Sequence, residues 1–164
     1  MATDMETTVS WMGPASDAAG SGMSFVARTG SGHMIAMDGA PDSSAASGDA
    51  SAATRNLGGR NLAPRPMELL LAGTGGCTAY DVVLILRRGR HDVRRCDVTL
   101  TAQREKTDPK VFTAIHFHFV VVGSGLAHEV VDRAIRLSHD KFCSASVMLA
   151  RTAALTHSFE IRET

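Results

Sequence analysis

The sequence has no surplus of charge, few cysteines and no paired-cysteine motif, and each shortage closes off a class of function. Lys and Arg total 17 and Asp and Glu total 17, so the formal net charge is zero. A chain without a basic surplus carries no electrostatic footprint for nucleic acid or an anionic membrane surface. Basic clusters at Arg87, Arg88 and Arg90 and at Arg94 and Arg95 are local, and acidic residues offset them elsewhere. Three cysteines are an odd, low count. That count does not build the disulfide framework of a small secreted domain and suits a reducing cytoplasm. No CxxC pair is present, so thioredoxin-like chemistry and paired-ligand zinc sites lack their signature. The first twenty residues have no apolar core behind a basic start, so no signal peptide is expected.

What is present fits one domain. The 164 residues are 44% hydrophobic and 21% charged, enough for a real core. We read 1–164 as a single domain with a tail at 1–8. Residues 40–63 are Ala, Ser, Gly and Asp, then Asn and Arg. This composition cannot supply a core and reads as a mobile loop. Val9–Met12 reads as a short strand, and Met23–Arg28 and His33–Met37 flank a turn at Thr29-Gly30-Ser31-Gly32.

Pro64-Arg65-Pro66 opens a helix that runs to about Arg88, with Gly89 as its stop. From Leu69 to Tyr80 this helix carries no charge, so most of its faces are expected to be buried. Leu69–Leu86 is about as long as a membrane span. Thr74, Thr78, Tyr80, Asp81 and three glycines argue instead for a buried helix and no membrane. Val93–Glu105 and Val111–Val122 alternate around a turn at Thr107–Lys110 and predict a hairpin. Helices are expected over Leu126–Ser138 and Phe142–Ala153, then a strand over Leu155–Ile161. The order shows no βαβ alternation and indicates an α+β fold.

Two cysteines stand in unusual settings. Cys77 follows Gly73, Gly75 and Gly76 within the uncharged helix. Each helical glycine costs about 1 kcal/mol against alanine, which points to close approach of a backbone or ligand there. A phosphate loop is excluded, because no Gly-Lys-Ser/Thr follows. Cys143 sits at an expected helix start beside Lys141, a setting that favours a thiolate, and His139 lies close in sequence. Cys96 lies on a strand and reads as structural. The competing reading of all three is packing, since free cysteine behaves as a small hydrophobe. His116 and His118 share one strand face and could ligate a metal, but with no third ligand in view they read as surface or interface residues.

The text around both cysteines resembles the OsmC/Ohr family, the osmotically inducible and organic hydroperoxide resistance proteins. Pro66-Met67-Glu68-Leu69-Leu70 leads to Gly75-Gly76-Cys77-Thr78-Ala79-Tyr80-Asp81-Val82-Val83. Phe112–Ile115, Ala134–Ser138, Lys141-Phe142-Cys143-Ser144 and Thr156–Glu160 follow in order. The resemblance covers about 64–161, and 9–39 more loosely. It is nearest to the less characterised branch with Pro-Met-Glu-Leu before the first cysteine.

It implies an intertwined homodimer, with two long central helices buried between β-sheets and active sites at the subunit interface. It further implies a thiol-dependent peroxidase for small organic hydroperoxides. Cys77 would attack the peroxide and Cys143 resolve the product, and a dithiol, lipoyl-bearing in the family, would restore both. No cofactor is expected. An arginine from the preceding loop, held by a glutamate, would activate Cys77. Arg55 is the choice here and Arg60 the alternative, with Arg65 between two prolines. The family's glutamate directly follows the proline, where Met67 stands here, and Glu68 comes one position later. One helical step turns a side chain by about 100°. The alternatives are a non-enzymatic dimer that binds a small apolar or electrophilic ligand at the interface cleft, and a redox sensor.

Overall fold

A computed structural model describes residues 4–13, 22–41 and 58–164. The chain divides into two compact units, Met1–Leu69 and Leu70–Thr164.

The first unit holds an antiparallel sheet of β1 (Thr7–Trp11), β2 (Ser24–Thr29) and β3 (Met34–Asp38). Thr7 lies opposite Thr29, and Ser24 opposite Asp38. β1 therefore begins within the stretch expected to be a tail. The expected turn joins β2 to β3, with Gly32 at φ 85°, where a side chain would be strained. Asp38 ends β3 at 1% exposure. Its carboxylate accepts the N–H groups of Gly39 at 2.8 Å and of Arg60 and Leu62 at 3.0 Å each, and the Ser24 hydroxyl at 3.2 Å. The Leu62 N–H, ahead of the others, holds this carboxyl below its ordinary range against the opposing effect of burial. The end of the expected mobile loop is thus tied to β3, while its residues 42–57 lie outside the described residues.

The second unit begins within α1 (Pro66–Arg88), whose limits match the proline and glycine signals. It continues through β4 (Asp92–Arg104) and β5 (Phe112–Ser124), which form the expected hairpin. Along β5, Ile115, Phe117, Phe119 and Val121 are fully buried. The residues between them, including His116 and His118, are partly exposed. Burying each such side chain stabilises by about 1.5–3 kcal/mol. Val82 and Leu86 of α1 and Val131, Ala134 and Ile135 of α2 (His128–Leu137) complete this core.

Two features depart from expectation. The expected helix Phe142–Ala153 is reduced to a six-residue α3 (Ser144–Leu149), and a π-helical turn at Ser138–Phe142 fills the interval after α2. The Cys143 N–H reaches back to the Ser138 carbonyl at 2.8 Å, a five-residue step that widens the helix, and the extended backbone of Cys143 then ends it. β6 (Ala154–Glu163) pairs with β5 in parallel, Phe159 opposite Phe119. A parallel pair needs a crossover, and α2, the π turn and α3 supply it.

The expected burial of most faces of α1 is not met within one chain. Thr74, Thr78, Val82 and Leu86, one turn apart, form a single buried stripe together with Gly75. A side-chain carbon at Gly75 would meet Leu100 at 2.7 Å, so close approach accounts for this glycine. The same carbon at Gly73 or Gly76 would meet nothing within 4 Å, and Tyr80 is 68% exposed. By length and composition α1 could cross a membrane, and only 28% of its most apolar stretch is buried.

Candidate functional site

The stripe beside the buried one on α1 carries Cys77 and, one turn later, Asp81. A helix places residues i and i+4 on one face, so these two side chains project together from a segment that is otherwise uncharged. Cys143 arrives from the far side of the crossover. The π turn delivers it to the N-cap of α3, where it is fully buried. The Cys77 and Cys143 sulfurs and an Asp81 carboxylate oxygen all lie within 4.8 Å of one another. The two cysteines are sixty-six positions apart in the sequence, and both are free thiols.

Hydroxyl groups hold this cluster in place. The Cys143 sulfur accepts the backbone N–H of Ser146 at 3.4 Å and its hydroxyl at 3.2 Å, the contact an N-cap makes to the first turn of its helix. The Ser138 hydroxyl donates to Asp81 at 3.2 Å and shares a hydrogen bond with the Thr78 hydroxyl at 2.8 Å. Ser138 and Ser146 are both buried. They anchor the ends of the segment that carries Cys143.

The electrostatics around Cys77 oppose a thiolate. Burial, first of all, pushes its thiol above the ordinary value. The hydrogen bond with Cys143 and the negative charges of Cys143 and Asp81 act the same way, and only the Ala145 N–H acts against them. Within this unit no Lys or Arg figures among the groups acting on Cys77.

Cys96 lies on β4, where burial and the Asp97 charge push its thiol up to about 11. Arg55 lies outside the described residues. The Arg60 N–H is engaged by Asp38. The Glu68 carboxylate accepts the Arg65 N–H at 3.0 Å. Arg65 directly precedes α1 and Glu68 is its third residue, so Glu68 caps its own helix in one half of a capping box. His116 and His118 bond to Thr156 and Ser158 across the β5–β6 pair, at 2.9 Å in each contact.

The His139 ring packs against Phe117 at 4.6 Å and His157 at 5.6 Å, and neither of its nitrogens finds a partner. Burial lowers its pKa to about 4. It lines a pocket of about 540 Å³ with Arg136, Thr156 and His157, a pocket that no cysteine lines.

Sequence reasoning did not single out Asp81, Ser138 or Ser146. Asp81 had a visible signal, a lone carboxylate one helical turn from the cysteine. The serines had none, because their role depends on the π turn.

The family model described as "OsmC-like protein" matches residues 58–158. Protein YhfA of Escherichia coli strain K12 is 40% identical over 157 residues, which are 96% of this chain and 98% of that one. A hypothetical protein from Aquifex aeolicus VF5, of solved structure, is 25% identical with a TM-score of 0.70, over 99% of this chain and 98% of that one. An organic hydroperoxide resistance protein OsmC from Legionella pneumophila shares the fold at 13% identity and a TM-score of 0.60, over 98% of each chain.

Proposed function

This chain belongs to the OsmC-like protein family, and from that premise we propose that it is a thiol-dependent peroxidase acting on small organic hydroperoxides. The observation that carries the reading is the approach of Cys77 and Cys143 to within 4.8 Å. A sulfenic acid on either sulfur would have a resolving thiol at hand.

Cys77, the more exposed of the two, is the attacking thiol. As thiolate it takes the peroxide's terminal oxygen, becomes a sulfenic acid, and releases the alcohol. Cys143 displaces that oxygen as water and forms the disulfide. An external dithiol, lipoyl-bearing by family resemblance, returns both thiols and leaves as its own disulfide. Since burial and Asp81 oppose ionisation of Cys77, activation needs a cation from outside the Leu70–Thr164 unit. Arg55 held by Glu68 is the proposed source, with Arg60 the alternative.

The protein works as a homodimer. The uncovered face of α1 supports this reading, with Gly73 and Gly76 open to close approach and Leu70 and Tyr80 exposed. A partner helix would cover that face without a membrane.

Free-thiol titration tests the proposal. One equivalent of an alkyl hydroperoxide should remove two thiols per chain rapidly, Cys77→Ser should abolish the loss, and dihydrolipoamide should reverse it. Thiols that persist under conditions that oxidise the unfolded chain would overturn it.

A second reading is favoured by the same electrostatics. A half-buried, protonated Cys77 beside a carboxylate suits a non-enzymatic dimer that holds a small apolar or electrophilic ligand at this site.

A further inference from the structure

The cluster that disfavours an anion is well formed for a cation. We propose that the reduced protein binds one zinc ion per chain through the sulfurs of Cys77 and Cys143 and the carboxylate of Asp81, with the fourth position open to water or substrate.

Geometry carries the argument. Three atoms no more than 4.8 Å apart leave a point within about 2.8 Å of all of them. Zinc needs about 2.3 Å to sulfur and 2.0–2.2 Å to a carboxylate oxygen. Side-chain shifts of about 0.5 Å for the sulfurs and about 0.6–0.8 Å for the carboxylate oxygen close that gap. Cys77 and Asp81 need no change of backbone to converge, because one helix face already presents both.

The surrounding groups are those a metal site requires. Ligands at such sites are oriented by hydrogen bonds from outside the coordination sphere. Here Ser146 donates twice to the Cys143 sulfur and Ser138 donates to Asp81, both from buried positions. Charge also fits. Two thiolates and a carboxylate carry three negative charges, and a dication offsets two of them. Among the described residues no other group of three His, Cys, Asp or Glu side chains brings its donor atoms this close. The sequence shows only half of this site, the Cys77–Asp81 pair at helical spacing, because Cys143 stands sixty-six positions beyond Cys77.

The inference rests on the redox reading in one respect: it assigns a regulated form to the same dithiol. Zinc binding releases one proton from each thiol and changes no oxidation state. A hydroperoxide that oxidises the bound pair takes up two protons and yields alcohol, water, disulfide and free zinc. Bound zinc therefore slows peroxide attack, and oxidation ejects the metal.

Cobalt(II), a spectroscopic stand-in for zinc, provides the test on the full-length reduced chain under anaerobic conditions. We expect a thiolate-to-cobalt charge-transfer band and tetrahedral d–d bands that saturate at one equivalent and disappear when zinc is added. Cys77→Ser and Cys143→Ser should each remove the charge-transfer band or strongly weaken it, Asp81→Asn should weaken binding at least tenfold, and Cys96→Ser should change nothing. Zinc should also slow alkylation of Cys77 in the unsubstituted protein, a readout that needs no variant.

A spectrum that stays that of the hydrated ion, or a band that survives loss of Cys77, would overturn the inference. Peroxide consumption by the metal-free protein is scored separately. Failure there removes the peroxidase reading and leaves the metal site standing, and the reverse holds equally.

Discussion

Cys77 and Cys143 are the same side chain in opposite surroundings. Cys143 is fully buried at a helix N-cap, and two donors of Ser146 point at its sulfur. Cys77 is half-buried in mid-helix, and its charged neighbour within the unit is the Asp81 carboxylate. One sulfur is held and the other is approachable but restrained from ionising. The difference teaches that closeness of two thiols is a separate property from their readiness to react. The fold supplies the first, while burial, Cys143 and Asp81 oppose the second.

The largest effect that could break the comparison is chemical. Cys77→Ser should abolish peroxide-driven thiol loss. Cys143→Ser should leave the first step intact and accumulate a sulfenic acid that a dimedone probe traps and mass spectrometry detects. Trapping on Cys143 in the Cys77→Ser protein would reverse the assigned roles.

Acid should act on the Cys143 side. His139 lies in the π turn that delivers Cys143, and its pKa is lowered to about 4 from 6.5. The unfolded chain therefore takes up this proton first as pH falls. Stability should decline below about pH 6.5 and level off near 4, by on the order of 1–2 kcal/mol given the partial exposure of the ring. Urea unfolding across this range, with His139→Leu flattening this part of the pH dependence, checks it.

Asp81→Asn sharpens the contrast at Cys77. Removing the carboxylate charge lowers the thiol pKa and raises the thiolate fraction at neutral pH. Alkylation by iodoacetamide should quicken about threefold, with its pH profile displaced toward acid. An unmoved profile would mean that burial and Cys143 restrain Cys77 without help from Asp81. The smallest effect belongs to Ser146→Ala, which removes one of two donors to Cys143 and should cost about 0.5–1 kcal/mol in chemical denaturation.

Local signals located most of the elements. Alternation along Val111–Val122 marked β5, and Pro66 and Gly89 marked the ends of α1. The missing helix length at Phe142–Ala153 was not legible, because a π turn is selected by what packs on it and not by helix propensity. Parallel pairing of β6 with β5 was likewise hidden, since a strand's own pattern does not name its partner. Around the site, Cys77 and Cys143 were found through their motifs, while Asp81 was passed over although it stood at helical spacing from Cys77. Glu68, expected to steady an arginine, also accepts a backbone N–H at its own helix start, a capping role its motif did not announce.

By itself the sequence determined the α+β class, the family, the uncharged helix and the two cysteines, because these reside in composition, periodicity and contiguous motifs. Only the tertiary structure decided that the two sulfurs meet, that a carboxylate meets them, and that the donors around them are serines. Those are distances between residues far apart along the chain. They are set by how β5, the crossover and α1 pack together, which no window of neighbouring residues encodes.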